Sequence, residues 1–221
     1  PIYFCTLFIL PPVSVSGPVS TNVIFQSSAK LLCTSNLLFF TSIVTSEWCK
    51  NKLEKYTLIL ASGSPRRQQF FKDLDLDFEI RLKEIEEIYP PELKAAQITN
   101  YLATLKASVF EGELKPNEIL ITSDTIVWHN ETALGKPKDE QDAFAILKSL
   151  SNATHEVITS VCFKTQEKTD LIHEITKVTF NILTDEAIHY YLKNYKPFDK
   201  AGSYGIQEWI GFIGVSKIEG S

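Results

Sequence analysis

Residues 58–67 read Leu58-Ile59-Leu60-Ala61-Ser62-Gly63-Ser64-Pro65-Arg66-Arg67. An apolar run of strand character stops in a small, hydroxyl-rich turn. Pro65 suits the first turn of a helix, because the N–H it lacks has no partner there. Ser64 is placed to cap that helix, and two arginines follow in its first turn. The pattern is strand, turn, helix N-terminus and a guanidinium pair. A helix N-terminus favours an anion through its free N–H groups and its dipole. Two arginines at that positive end are unfavourable unless something anionic compensates them, and their forked donors match phosphate oxygens.

Downstream, Phe78–Leu82 reads as a second strand. Pro91 reads as the opening of a longer helix carrying Ile98, Leu102, Leu105 and Val109 on one face. Ile119–Ile121 is a buried strand that ends in Ser123-Asp124-Thr125. Asp139 to Leu150 is helical, and 155–164 and 172–183 are β-rich around a polar hairpin loop. Thr184 caps a further helix. A glycine-rich segment and a last strand close the chain. Strands and helices interleave, so the fold class is α/β with a mixed sheet flanked by helices.

The chain has 221 residues and a net charge of −5. No basic footprint for nucleic acid is present. Four cysteines show no Cys-x-x-Cys spacing, so neither a zinc site nor a disulfide framework is indicated. Only Lys30, Glu47 and Lys50 are charged among residues 1–50. Ile2–Leu10 is apolar but too short to span a bilayer, and no basic segment precedes it as in a signal peptide. With no methionine anywhere, residues 1–50 are expected to be a non-native or disordered extension. Residues 51–221 are expected to be the functional domain.

Asp124, at the mouth of an apolar strand with a hydroxyl on each side, stands where α/β proteins place ligand chemistry. Gly135-Lys136-Pro137 offers close backbone approach and a point charge; taken alone it is a surface turn, and it lacks the glycine spacing of a Walker A loop. Glu84, Glu86 and Glu87 form an acidic run, ordinarily a solvated face. One of these acids together with Asp124 could hold Mg²⁺ beside phosphates. Lys106 is either a snorkelling side chain or a phosphate contact. Gln207, in Asp199–Gln207, can donate to and accept from a base edge. No Gly-x-Ser-x-Gly elbow and no paired histidines occur.

Five blocks in order, Ala61–Arg67, Ser123–Val127, Gly135–Pro137, Leu150-Ser151 with Thr154-His155, and Asp199–Gln207, resemble the Maf nucleotide pyrophosphatases. The resemblance runs from about Tyr56 to Ser221. It implies hydrolysis of a nucleoside triphosphate to the monophosphate and pyrophosphate with a divalent cation, Mg²⁺ or Mn²⁺. It also implies an elongated fold related to the inosine-triphosphate pyrophosphatases, with the site in a cleft between two lobes. By motif, Asp124 matches the proton acceptor, and Ser62, Arg66, Arg67, Glu87, Lys106, Lys136 and Gln207 match positions lining the cleft; Glu87 and Asp124 are expected to hold the metal, and Ser62, Arg67, Lys106 and Lys136 to contact the phosphates. Arg66, Thr125 and Gln207 match the positions that separate the dTTP/UTP branch from the branch acting on 7-methyl-GTP. The family continues past the residue equivalent to Ser221, so residues 51–221 are expected to be C-terminally truncated. The expected partner is a nucleoside triphosphate, with no nucleic acid and no membrane; a homodimer is compatible with the resemblance, and the expected location is the cytoplasm. The alternatives are a nucleotide-binding regulator of cell division with little turnover, or a pyrophosphatase for a modified nucleotide such as 7-methyl-GTP.

Overall fold

The computed structural model describes residues 52–220. The expectation for residues 1–50 lies outside the described residues. Seven strands form one mixed sheet in the order β2-β1-β3-β5-β6-β7, with β4 also on β3. They are β1 (Thr57–Leu60), β2 (Glu79–Ile80), β3 (Glu118–His129), β4 (Thr132–Leu134), β5 (Thr154–Lys164), β6 (Thr169–Phe180) and β7 (Val215–Glu219). The helices are α1 (Pro65–Asp73), α2 (Ala96–Ser108), α3 (Glu140–Leu150), α4 (Asp185–Tyr195) and α5 (Trp209–Gly214), with a 3₁₀ turn at Ala201–Ser203. Strands β1 and β2 run parallel to their neighbours; all other pairings are antiparallel.

The long β3–β5–β6 ladder is the centre of the molecule. Apolar helix faces cover it on both sides. Ile98 and Leu102 of α2 pack on Ile126 and Ile158. On the opposite face Phe71 of α1 meets Leu58, Leu60 and Ile121. Also on that face, Ala143, Leu147, Ile188 and Tyr191 of α3 and α4 close over Val127. Side-chain alternation along β3 explains the division, since successive residues point to opposite faces.

Several local expectations are corrected. The long helix opens at Ala96 rather than Pro91. Ala95 has φ 48° and no side chain caps the helix. No Ser, Thr, Asp or Asn stands between Pro91 and Ala96 to receive its first N–H groups, and the Pro90-Pro91 pair disfavours helical geometry before it. The second strand shrinks to the exposed edge pair Glu79–Ile80. Ser64 occupies the N-cap position of α1 without a side-chain hydrogen bond; instead its own N–H donates to Ser62 Oγ at 3.3 Å. Asp139 and Thr184 do cap their helices, accepting from Asp142 N and Ala187 N. Strand β4 and helix α5 had no counterpart in the sequence reading.

Candidate functional site

Asp124 does not end its strand. It sits in the middle of β3, opposite Ser160 of β5. What ends beside it is β1. One edge of β3 is taken by β1 at residues 118–121 and by β4 at residues 127–129. Among the described residues, 122–126 therefore have a strand neighbour on one side only, and the break in the sheet opens there. The Ser62–Ser64 turn and the α1 N-terminus follow directly from β1, so the break places them against Asp124.

Arg67 fills part of this break. The Ile121 carbonyl accepts from Ala61 N, the last bond that the chain leaving β1 makes to β3. The next carbonyl on that edge, Ser123, accepts from Arg67 Nη1 at 2.9 Å. Arg67 Nη1 also lies 3.4 Å from Ser62 Oγ, and Nη2 donates to Thr125 Oγ1 at 3.2 Å. Thr125 Oγ1 is 3.0 Å from Thr159 Oγ1 across the ladder. Burial pushes the Arg67 guanidinium below its ordinary value, and the adjacent Asp124 carboxylate opposes that shift. The anionic compensation expected for two arginines at a positive helix end is thus present. Asp124 and Glu87 act electrostatically on Arg67, and Asp199 Oδ2 lies 3.5 Å from Arg66 Nη1.

On the α2 face of the same break, Lys106 Nζ lies 2.7 Å from Asp124 Oδ1 and 3.1 Å from Glu87 Oε2. Helix α2 is held in register by polar contacts as well as by its apolar face. Thr122 Oγ1 donates to the Ala103 carbonyl at 2.7 Å, and Ser160 Oγ bonds Thr99 and Asn100 at 2.6 and 2.7 Å. These contacts set the height at which Lys106 meets Asp124. All three glutamates of the acidic run are exposed, and the Lys106 ion pair is what ties Glu87 to the site.

The 199–208 segment meets the site through Asp199, which pairs with Arg66. Gly202 is at φ 70°, and a Cβ there would stand 2.6 Å from Val127 Cγ2. Only glycine permits both the left-handed turn and this approach. Gly202 N also donates to the Gly135 carbonyl at 3.0 Å, tying the segment to the Gly135–Pro137 turn. Lys200 Nζ bridges Asp199 at 2.8 Å and Glu208 at 3.1 Å. Glu208 accepts from the Tyr191 hydroxyl, which in turn accepts from Gly205 N at 3.1 Å. Burial works to raise the Asp199 carboxyl, but the hydrogen bond and charge of Lys200, with Arg66, hold it below its ordinary value. His155 bonds the Tyr204 hydroxyl through Nε2 at 2.6 Å, and burial beside His129 lowers it to about 4, so it is neutral at physiological pH.

Ser62, Arg67, Lys106, Glu87 and Asp124 therefore gather at one break, and Arg66 joins through Asp199. Lys136 is exposed on the turn after β4, and Gln207 is exposed beyond Gly205. Arg66, Thr125 and Gln207, the three positions matched to the branch difference, make no hydrogen bond to one another in the described residues. The Thr125 hydroxyl is engaged by Arg67 and Thr159 instead. The sequence reading missed Thr159, Lys200, Glu208 and Tyr191 as partners. Lys200 stood inside a quoted motif, but nothing in the sequence announces the β3–β5 register that brings in Thr159.

A divalent cation can be tested against these donors. Among the described residues no group of three or more His, Cys, Asp or Glu side chains is placed to hold a metal ion. Two carboxylates do converge, since Glu87 and Asp124 reach the same ammonium. All-oxygen donors in that number fit a hard cation such as Mg²⁺, which takes one or two carboxylates and completes its shell with phosphate oxygens and water.

Among the described residues no helix is long and apolar enough to cross a membrane. Among solved structures, the Staphylococcus aureus Ham1 protein is similar over 56% of this chain and 71% of its own, at 14% identity and TM-score 0.43. A dTTP/UTP pyrophosphatase of Flavobacterium johnsoniae is 73% identical over 78% of this chain and 89% of its own length. Proteins of the same description from Flavobacterium psychrophilum and Christiangramia forsetii are 69% and 52% identical. They cover 78% and 76% of this chain, and 88% and 86% of their own lengths. Residues 57–221 match the family described as Maf-like protein, and this chain belongs to the Maf family.

Proposed function

We propose that this chain is a nucleoside triphosphate diphosphatase that hydrolyses dTTP and UTP to the monophosphate and pyrophosphate. The observation that carries the reading is the gathering of Asp124, Glu87, Lys106 and Arg67 at one break in the sheet, in a chain 73% identical to a dTTP/UTP pyrophosphatase. Arg66, Arg67, Lys106 and Lys136 would neutralise the charge of a triphosphate lying across the break. Ser62 and the first-turn N–H groups of α1 add neutral donors.

In this reading Asp124 orients a water molecule and accepts its proton as the oxygen attacks the α-phosphorus. The bond from the α-phosphorus to the oxygen bridging to the β-phosphorus breaks, and pyrophosphate leaves with its charge balanced by the arginines and lysines. Asp124 and Glu87 would hold Mg²⁺ or Mn²⁺, which when bound screens phosphate charge. Most of the rate comes from positioning and charge stabilisation. Arg66, Thr125 and Gln207 are the residues proposed to set base selectivity, and Thr125 also orients Arg67 toward the phosphates. A reaction on free pyrimidine nucleotides supports a cytoplasmic location for the protein.

The test is release of pyrophosphate from dTTP, UTP and 7-methyl-GTP in the presence of Mg²⁺. Turnover of the two pyrimidine nucleotides supports the reading. Release of orthophosphate, or turnover of 7-methyl-GTP alone, refutes it. Binding without turnover of any of the three would point to a nucleotide-binding regulator.

A further inference from the structure

Lys106 occupies the place between the two carboxylates that a cation would take. Its Nζ lies within 3.1 Å of both Glu87 Oε2 and Asp124 Oδ1. The Lys106 and Asp124 side chains are only 17% and 10% exposed, so that contact is not a loose surface pair, while Glu87 reaches in from the solvent side with its side chain 54% exposed. Charge-assisted hydrogen bonds of this kind are strong, and with the Arg67 guanidinium acting on the same two carboxylates the ammonium leaves the pair little net charge to draw in a cation. A free divalent cation must therefore expel the ammonium, and the ammonium then needs another anion.

The fold offers no such anion on α2 itself. The helix is fixed by Thr99, Asn100 and Ala103, so only the flexible lysine stem can move, and the Lys106 side chain makes no other ion pair among the described residues. A triphosphate lying across the break would supply the missing partner. It would accept the ammonium and release both carboxylates at the same moment.

We propose that Lys106 is a built-in counter-ion that closes the Glu87–Asp124 pair to free divalent cations, so that the cation enters only together with the nucleotide. This rests on the pyrophosphatase reading for the identity of the nucleotide. The device itself follows from the placement of one ammonium between two carboxylates.

The experiment is binding of Mn²⁺ alone, followed by electron paramagnetic resonance of the free ion, to the wild type, Lys106→Gln and Lys106→Arg. Thermal melts check that each variant is folded. Loss of one such charged contact corresponds to about tenfold or more in affinity. Lys106→Gln should therefore bind Mn²⁺ about tenfold more tightly than wild type, while Lys106→Arg, which keeps the charge, should bind as weakly as wild type. The gain should vanish in Lys106→Gln/Asp124→Asn. Adding α,β-imido-UTP should tighten Mn²⁺ binding to the wild type and much less to Lys106→Gln. The proposal is overturned if Lys106→Gln binds Mn²⁺ no more tightly than wild type, or if its gain survives Asp124→Asn. Pyrophosphate release by wild type separates the two readings. Turnover of UTP with tight binding of Mn²⁺ alone overturns the counter-ion and leaves the activity standing. No turnover, with exclusion of Mn²⁺ that depends on Lys106, does the reverse.

Discussion

Arg67→Ala tests whether Arg67 holds the break in the sheet together as well as facing a ligand. In the folded chain its guanidinium donates to the Ser123 carbonyl at 2.9 Å and to Thr125 Oγ1 at 3.2 Å; the 3.4 Å approach to Ser62 is too long to count for much. A hydrogen bond from a charged donor contributes about 1.5–3 kcal/mol, and a buried carbonyl left without a donor costs about 1–3 kcal/mol. Ser123 is buried, and among the described residues no strand lies on its β1 side to replace the lost donor. Thr125 keeps Thr159 as a partner, which reduces the loss, and removing a desolvated charge offsets part of the rest. The net expectation is a loss of about 2–4 kcal/mol, against a total stability of about 5–15 kcal/mol for a domain. That corresponds to a fall in Tm of roughly 5–15 °C for a domain of this size. Arg67→Lys should recover less than half of the loss, because one ammonium can reach the Ser123 carbonyl but not Thr125 at the same time. Thermal melts and urea unfolding read the stability, and KM for UTP reads the ligand side. A Tm within about 1 °C of wild type in Arg67→Ala, or equal behaviour of lysine and arginine, would refute the reasoning and leave Arg67 as a solvated surface charge.

Asp124→Asn should keep the fold and lower pyrophosphate release from UTP by about 10²–10⁴-fold, the range for loss of a general base; near-normal turnover would sink the mechanism. Glu118 is held at about 2, chiefly by its hydrogen bonds to Arg81 and to Lys115 N, with Arg81 donating at 3.0 and 3.1 Å. Because this carboxylate is depressed in the folded state, its contribution is complete above the unfolded value of about 4.3 and is lost as the pH falls toward about 2. The Tm difference between wild type and Glu118→Gln should be constant at neutral pH and shrink below about pH 4; a difference that persists unchanged at pH 2.5 to 3 (about the lower end of that window) would contradict the ion pair. Gly202→Ala combines a left-handed backbone with a Cβ 2.6 Å from Val127 Cγ2, so unfolding experiments should show a loss of about 2–4 kcal/mol, and an unaffected midpoint would mean the turn can relax.

Much of the chain is legible in its residues, and the physical reason is that those features are local. Caps, helix starts and apolar faces depend on neighbours a few positions away. Asp139 and Thr184 are therefore readable as caps, and Leu147, Leu150, Ile188 and Leu192 as core. The β-rich character of 155–164 and its hairpin to β6 follow from composition and a polar loop. The five motif blocks identify the family before any coordinate is known, because each carries residues whose spacing along the chain is itself the signal.

Tertiary structure decided what depends on pairing between distant segments. The sequence places Asp124 at a strand end, whereas the ladder places it mid-strand beside the end of β1. No local pattern reveals that β1 and β4 share one edge of β3 and leave residues 122–126 open between them. The same holds for the partners of Arg67, a carbonyl and a threonine hydroxyl selected by strand register. Lys106 shows the point most directly. Its position beside an apolar stripe left it between a snorkelling stem and a ligand contact, and only the packing of α2 on β3 and β5 put its ammonium between Glu87 and Asp124. Charge type is written in the chain, but which charges meet depends on long-range register, and a one-residue slip of β3 would send Asp124 and Thr125 each to the opposite face.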